Sequence, residues 1–243
     1  MTPRRRLSAF ISEDELPTAA AVASAVLSAA GVVRAPVELE EVLLLWPGLR
    51  VGTEVLDGAG YLIALGGDTG EILLRRDDSP RRRRFTLAHE IGHWLLGPGA
   101  VPDGHDDEEV ETWCDQFAVE LLLPSHLVRE HIGSSQAPSA IAQRMTTIAS
   151  KFNASTQASM RRGMEVMDLR ALAAQRDGVF TFQAYEPQLS NAEKIVFHRF
   201  IRDSYREGAL RNPPHPGLGS ATAQAGRWHV FLATKGYATH DSP

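Results

Sequence analysis

The chain has a single cysteine, Cys114, among its 243 residues. One thiol can form neither an internal disulfide nor a thiolate cluster. Any metal site must therefore rest on histidine and carboxylate, and a reducing, cytoplasmic compartment is expected. Long apolar runs are also missing: none approaches the roughly eighteen residues that a membrane span needs. The Ala-rich stretch 19–30 is only weakly hydrophobic, follows Glu13, Asp14, Glu15 and Pro17, and ends at Gly31. It reads as a helix of the folded protein and not as a signal peptide. There is no basic excess either. A net charge of −5 and a pI near 6.0 give no global reason to bind nucleic acid or a membrane surface. What is present is ordinary globular composition, 43% hydrophobic and 23% charged, without internal repeats and long enough for one sizeable domain or two small ones.

Along the chain, residues 13–30 and 36–45 read as helices, the second starting on Pro36 and stopping at Trp46-Pro47-Gly48. The period then changes. Residues 49–55, 60–64 and 71–75 are β-rich runs separated by Asp57-Gly58 and by Gly66-Gly67-Asp68-Thr69-Gly70, which predicts a small antiparallel sheet. Ser79 followed by Pro80 marks the start of a helix that Gly97 stops, and 110–123 resumes a helical pattern with a Trp113/Phe117/Leu121 stripe. Helices are also expected over 125–132, 139–152 and 155–172. After Gly178 come a strand (179–185), a helix over 190–208 with a Ser190/Glu193 capping box, a Pro/Gly-rich loop (212–226) and a strand (227–233).

The densest chemistry lies in His89-Glu90-Ile91-Gly92-His93. Histidines four apart are only about 40° apart around a helix, so both imidazoles can reach one metal ion with Glu90 beside them as general base. Zinc in a hydrolytic site takes three protein ligands plus water, so one more is required. On the next predicted helix Glu111, Asp115 and Ala118 share one face, while Glu120 lies about 180° from Glu111. A metal-facing side opposite the Trp113/Phe117/Leu121 stripe selects Glu111 as third ligand. Asp115 is then placed to orient a ligand histidine through its other ring nitrogen.

The segments Arg84-Phe85-Thr86-Leu87-Ala88-His89-Glu90-Ile91-Gly92-His93 and Glu111-Thr112-Trp113-Cys114-Asp115-Gln116-Phe117-Ala118-Val119-Glu120-Leu121-Leu122-Leu123-Pro124 resemble the ImmA/IrrE family of bacterial metallopeptidases. The family's pattern is E-x-x-A-N-x-F-A-x-x-L-L-M-P, from which this chain departs at Cys114, Asp115 and Leu123. The resemblance implies zinc on His89, His93 and Glu111, with manganese as the other divalent candidate, and Glu90 as the catalytic group. Over roughly residues 20–170 it also implies an α+β, zincin-like, mostly helical metallopeptidase domain with a small antiparallel sheet and a helix-turn-helix-like region; residues beyond about 175 fall outside the resemblance and read as a small α/β C-terminal extension of unknown role. The corresponding boundaries are 1–125, 126–174 and 175–243. The substrate it implies is a helix-turn-helix repressor, cut to relieve repression under stress.

Further expectations concern the surroundings of this site. The strand 71–74, just before the motif helix, is a candidate edge for an extended substrate. Arg82, two turns before His89, is the arginine placed to reach substrate; Arg81–Arg84 otherwise read as a solvated face or as partners of the acidic segment 106–111. Arg82, His105 and Tyr185 are all candidates for stabilising the oxyanion, and the residues do not choose among them. Cys114 reads as a small buried core residue. Two other readings compete with the peptidase: a non-catalytic antirepressor whose metal site is closed by His105 or Asp107, and a DNA-binding regulator acting through 139–167 with Arg161 and Arg162. The helix pair in 139–172 is expected to be a packing unit before a DNA reader.

Overall fold

The computed structural model describes residues 17–97, 107–134, 137–177, 179–206, 217–223 and 228–234. The chain divides into two compact units, 1–124 with 152–154, and 125–151 with 155–243. Expectations that fall on residues 1–16, on the 98–106 part of the acidic loop with His105 and Asp106, and on 207–216 lie outside the described residues.

The first unit contains helices α1 (Ala19–Ala29) and α2 (Leu39–Leu43), strands β1 (Leu49–Glu54), β2 (Gly60–Gly66) and β3 (Thr69–Arg75), and helices α3 (Pro80–Leu96) and α4 (Asp107–Leu122). Thr18 caps α1, its hydroxyl accepting from the Ala21 amide at 3.3 Å, and Val22, Ala23, Val26 and Leu27 form the buried stripe. The second helix is shorter than its sequence pattern: it begins at Leu39, three residues after Pro36, with Glu38 still extended.

The strand order is β1-β3-β2. The predicted antiparallel pairing holds for the β2/β3 hairpin, whose turn uses the positive φ of Gly66 (102°) and Gly67 (57°). β1 joins on the far side of β3 in parallel, Leu49 opposite Gly70 through Glu54 opposite Arg75. Period-two alternation tells which residues share a face but not which strands become neighbours, so this arrangement was not readable from the runs alone. Its consequence is a correction. The strand 71–74 is central, and β1 and β2 are the two edges, each paired with β3 alone among the described strands.

Inner-face Ile72 and Leu74 join one core with Leu87, Ile91, Trp94 and Leu95 of α3 and with Trp113, Phe117 and Leu121 of α4. Trp113 and Phe117 stack nearly parallel, 5.5 Å between ring centroids, and the Trp113 indole donates to the Pro17 carbonyl at 2.8 Å, tying α4 to the start of α1.

The second unit holds α5 (Ser125–Ile132), α6 (Pro138–Lys151), α7 (Thr156–Met167), β4 (Ala171–Arg176), β5 (Val179–Tyr185), α8 (Asn191–Arg206), β6 (Leu218–Ala223) and β7 (Trp228–Ala233). Its sheet is antiparallel, in the order β5-β4-β7-β6. Phe197, Phe200 and Ile201 of α8 cover the face carrying Ala171, Ala173 and Phe231. The capping box forms as expected: Ser190 Oγ accepts from the Glu193 amide at 3.3 Å, and Glu193 Oε2 accepts from the Ser190 amide at 2.9 Å.

Two expectations fail in this unit. The helix predicted over 155–172 ends at Met167, where Asp168 takes a left-handed conformation (φ 53°), and 171–176 is a strand. Its first five residues are all buried, so the alternation that marks a half-exposed strand is absent. The loop predicted over 212–226 contains β6, whose Leu-Gly-Ser-Ala-Thr-Ala sequence carries little strand propensity and forms because β7 pairs with it. Arg162 does not point outward from the helix-turn-helix-like pair. It is 9% exposed, and its Nη1 donates to Ser125 Oγ and to Glu165 Oε2, both at 3.3 Å. A DNA reader would need it free. Among the described residues, no helix is long and apolar enough to cross a membrane.

Candidate metal centre

The motif helix starts as its sequence dictates. Ser79 Oγ accepts from the Arg82 amide at 3.3 Å and Pro80 occupies the first turn, where its missing N–H costs nothing. Leu87, Ala88, Ile91, Trp94 and Leu95 turn into the core, which leaves His89 and His93 on the opposite, half-buried side. Two close approaches bring the neighbouring elements to that side. A Cβ on Gly60 would lie 2.5 Å from Thr86 Cγ2, and one on Gly70 would lie 2.6 Å from the Trp94 ring, so glycine lets the sheet rest on α3 at both points. Gly92 faces α4, where a Cβ would meet Cys114 atoms at 3.2–3.3 Å.

That contact sets α4 so that Glu111 reaches both histidines. Its Oε2 lies 3.2 Å from His89 Nε2 and its Oε1 3.2 Å from His93 Nε2, while the two Nε2 atoms are 3.0 Å apart. The three groups form a set able to hold a metal ion. Tetrahedral zinc with nitrogen and oxygen ligands has ligand atoms about 3.3 Å apart, close to the spacing of these donors. His89 Nδ1 sits 2.9 Å from Asp115 Oδ1, the arrangement that fixes a tautomer with a bare Nε2 lone pair. Burial, then the neighbouring His89, pushes the His93 pKa down against the opposing pull of Glu111 and Asp115, favouring the neutral imidazole that a metal requires.

Glu90 is 8% exposed and lies under the start of β2, where a Cβ on Gly60 would come within 3.3 Å of its Oε1. Burial raises its pKa above the ordinary carboxyl value; His89 opposes this and Glu111 adds to it. Such a carboxyl is poised to exchange a proton. Cys114 is buried, and burial followed by the charges of Glu111, Glu90 and Asp115 pushes its pKa up, leaving an inert core thiol as its sequence suggested.

An open cleft of about 640 Å³ lies over these groups. Arg82, His89, Glu90, His93, Glu111 and Asp115 all line it. Asp107 is exposed and outside the three-group set. Tyr185 belongs to the second unit, where its hydroxyl contacts His198 Nε2 at 2.7 Å and the Gln183 amide. Among the arginines expected to form a solvated face, Arg84 is corrected: it donates to the Val37 carbonyl at 2.7 Å, pairs with Glu38 at 3.8 Å, and so braces α3 against the approach to α2. Sequence reasoning missed the opposite wall, where Gly60, Tyr61, Leu62 and Ala64 of β2 line the cleft. The signal was the isolated Gly60 at the head of a strand pattern, a mark of close backbone approach.

Residues 49–162 match the family described as IrrE N-terminal-like domain. "Radiation response metalloprotease IrrE" of Deinococcus deserti is 41% identical over 66 residues, which cover 24% of this chain and 24% of that protein. The protein of the same name from Deinococcus radiodurans is 37% identical over 68 residues, covering 24% and 21%. The matched stretch thus spans about a quarter of these relatives. A solved "Mycobacterium tuberculosis transcriptional regulator" aligns over 96% of this chain and 81% of its own, at 10% identity and a TM-score of 0.48. The family is one of metallopeptidases, which implies a divalent metal at a site such as this one. Over residues 49–162, the chain is similar to the ImmA/IrrE family.

Proposed function

We propose that the chain is a zinc-dependent endopeptidase of regulatory type that cuts a helix-turn-helix repressor under stress. The observation that carries this reading is the convergence of His89 Nε2, His93 Nε2 and a Glu111 carboxylate, 3.0–3.2 Å apart, in an open cleft beside a buried Glu90. His89, His93 and Glu111 would hold the metal, and zinc suits two imidazoles and one carboxylate, as manganese does. The ion's contribution is Lewis acidity towards water and a scissile carbonyl. Glu90 accepts the proton of the attacking water at its carboxylate and passes it to the leaving amine. Asp115 holds His89 in orientation.

The unpaired side of β2 is where a substrate segment would add in extended form, since main-chain groups along a free edge can recognise a strand without side-chain identity. A repressor as substrate rests on the family resemblance; the relatives' names speak of a radiation response and a metalloprotease. The test uses the purified, metal-analysed chain and its Glu90→Gln form, each incubated with helix-turn-helix repressors encoded near it. Defined fragments by mass spectrometry from the parent protein alone, with equal zinc in both, are expected. Equal cutting by the Gln form would overturn the role of Glu90, and repressor binding without cutting by either form would favour the antirepressor reading.

A further inference from the structure

The cleft is asymmetric in charge. Around the metal centre it is anionic, with Glu90, Glu111 and Asp115. Arg82 is the one arginine or lysine that lines it among the described residues. Its neighbours are engaged elsewhere: Arg83 donates to the Arg76 carbonyl at 3.3 Å, and Arg84 is held by Val37 and Glu38. The Arg82 guanidinium makes no hydrogen bond or ion pair among the described residues and is exposed in the cleft's mouth, next to the positive end of α3. At the opposite end the lining is Leu96, Gly97 and Val110, which offer no charge.

The strand beside the cleft gives this asymmetry a direction. Gly60 lies against Thr86 and Glu90, while Gly70, the partner of Ala64, lies against Trp94, so β2 runs the same way as α3. A peptide added antiparallel to β2 therefore runs the other way, and its C-terminal side heads for Arg82. Arg82 precedes His89 by seven residues, on the same face and about 10 Å along the axis. An extended chain covers that distance in about three residues.

Building on the peptidase reading, we propose that Arg82 is a specificity-determining residue that selects an acidic side chain about three residues C-terminal to the bond being cut. A carboxylate there pairs with a guanidinium that has no competing partner among the described residues. A basic residue at that position meets the like charge of Arg82 and the positive end of α3.

The experiment separates selection from chemistry. The zinc-loaded Glu90→Gln full chain is immobilised and challenged with random blocked dodecapeptides, and the retained pool is sequenced; the same pool is given to the wild-type chain and its cut sites are mapped. Retained peptides should be about fivefold enriched in Asp and Glu, the scale of one exposed ion pair. Adding Arg82→Gln should abolish the enrichment, and Arg82→Glu should replace it by enrichment in Lys and Arg. Thermal melting and zinc content confirm that each variant is folded. Cut peptides should carry the acid on the C-terminal side of the cut. An unenriched pool, an enrichment that Arg82→Glu leaves in place, or an acid on the N-terminal side would overturn the proposal. Acid enrichment that follows Arg82 without any cutting by the wild type would support selection by Arg82 and count against the peptidase reading instead.

Discussion

His89 Nδ1 lies 2.9 Å from Asp115 Oδ1, so one ring nitrogen of a candidate metal ligand is already spoken for by a carboxylate on a different helix. Removing such a partner typically weakens metal binding by about 10- to 100-fold, because the ring loses its orientation and its basicity. Asp115→Ala is expected to lower zinc affinity by that factor in a chelator competition. Asp115 is itself 62% exposed, so the metal-free melting temperature should hardly move. Unchanged affinity would show that the contact does not orient the ligand.

The spacing between α3 and α4 depends on Gly92, where a Cβ would meet Cys114 at 3.2–3.3 Å. Gly92→Ala gains about 1 kcal/mol of helix propensity and loses a similar amount to crowding, so a change within about 1 kcal/mol is expected. Gly92→Leu cannot be absorbed and should cost about 3 kcal/mol or more in urea unfolding. It should also weaken zinc binding, because Glu111 rides on α4. Full zinc affinity in a folded Gly92→Leu protein would disprove the link between helix spacing and the site.

Arg162 and Arg161 are adjacent in sequence and opposite in consequence. Arg162→Ala removes a buried cation that Ser125 and Glu165 both contact, and should destabilise by about 2 kcal/mol. Arg161→Ala, on the exposed side, should stay within about 0.5 kcal/mol. Calorimetry of both variants checks that Arg162 serves packing; the reverse order of effects would show that its contacts with Ser125 and Glu165 do not hold the helix pair.

Glu193 makes part of the stability pH-dependent. Burial alone would raise its pKa, but the Ser190 hydrogen bonds and the Arg170 guanidinium, 2.6 Å away, outweigh burial and hold it below the ordinary 4.5. A carboxylate whose folded pKa is depressed contributes fully above its unfolded value, and the contribution disappears as pH falls through the folded one. Stability should therefore fall more steeply below about pH 4.5 in the wild type than in Glu193→Gln, which carries no charge to lose. Parallel acid titrations of denaturant midpoints would show it. Identical acid profiles would count against the pairing with Arg170.

Much of this was legible in the chain. Ser79-Pro80 and Gly97 bounded the motif helix because capping chemistry is local, and Glu111 with Asp115 was separable from Glu120 because helical phase is local too. The Ser190/Glu193 box was read for the same reason. Where elements met, the reading failed. Alternation in 49–75 marked three strands but not that β1 would run parallel to β3 and make it central, which moved the free edges to β1 and β2 and left β2 as the edge that lines the cleft. The strand 171–176 went unread, its first two residues counted into the preceding helix, because both its faces are covered, which erases the period that betrays a strand.

The candidate ligands were therefore marked by sequence alone, since side chains one turn apart on a helix must share a face whatever surrounds them, whereas the distance from Glu111 to the two histidines was set by the packing of α4 on α3. Tertiary structure decided the wall opposite them: which strand lines the cleft, which way it runs, and hence which end of a substrate meets Arg82. Strand neighbours are chosen by packing across the whole unit, through contacts such as Gly60 on Thr86 and Gly70 on Trp94, and no local period records that choice.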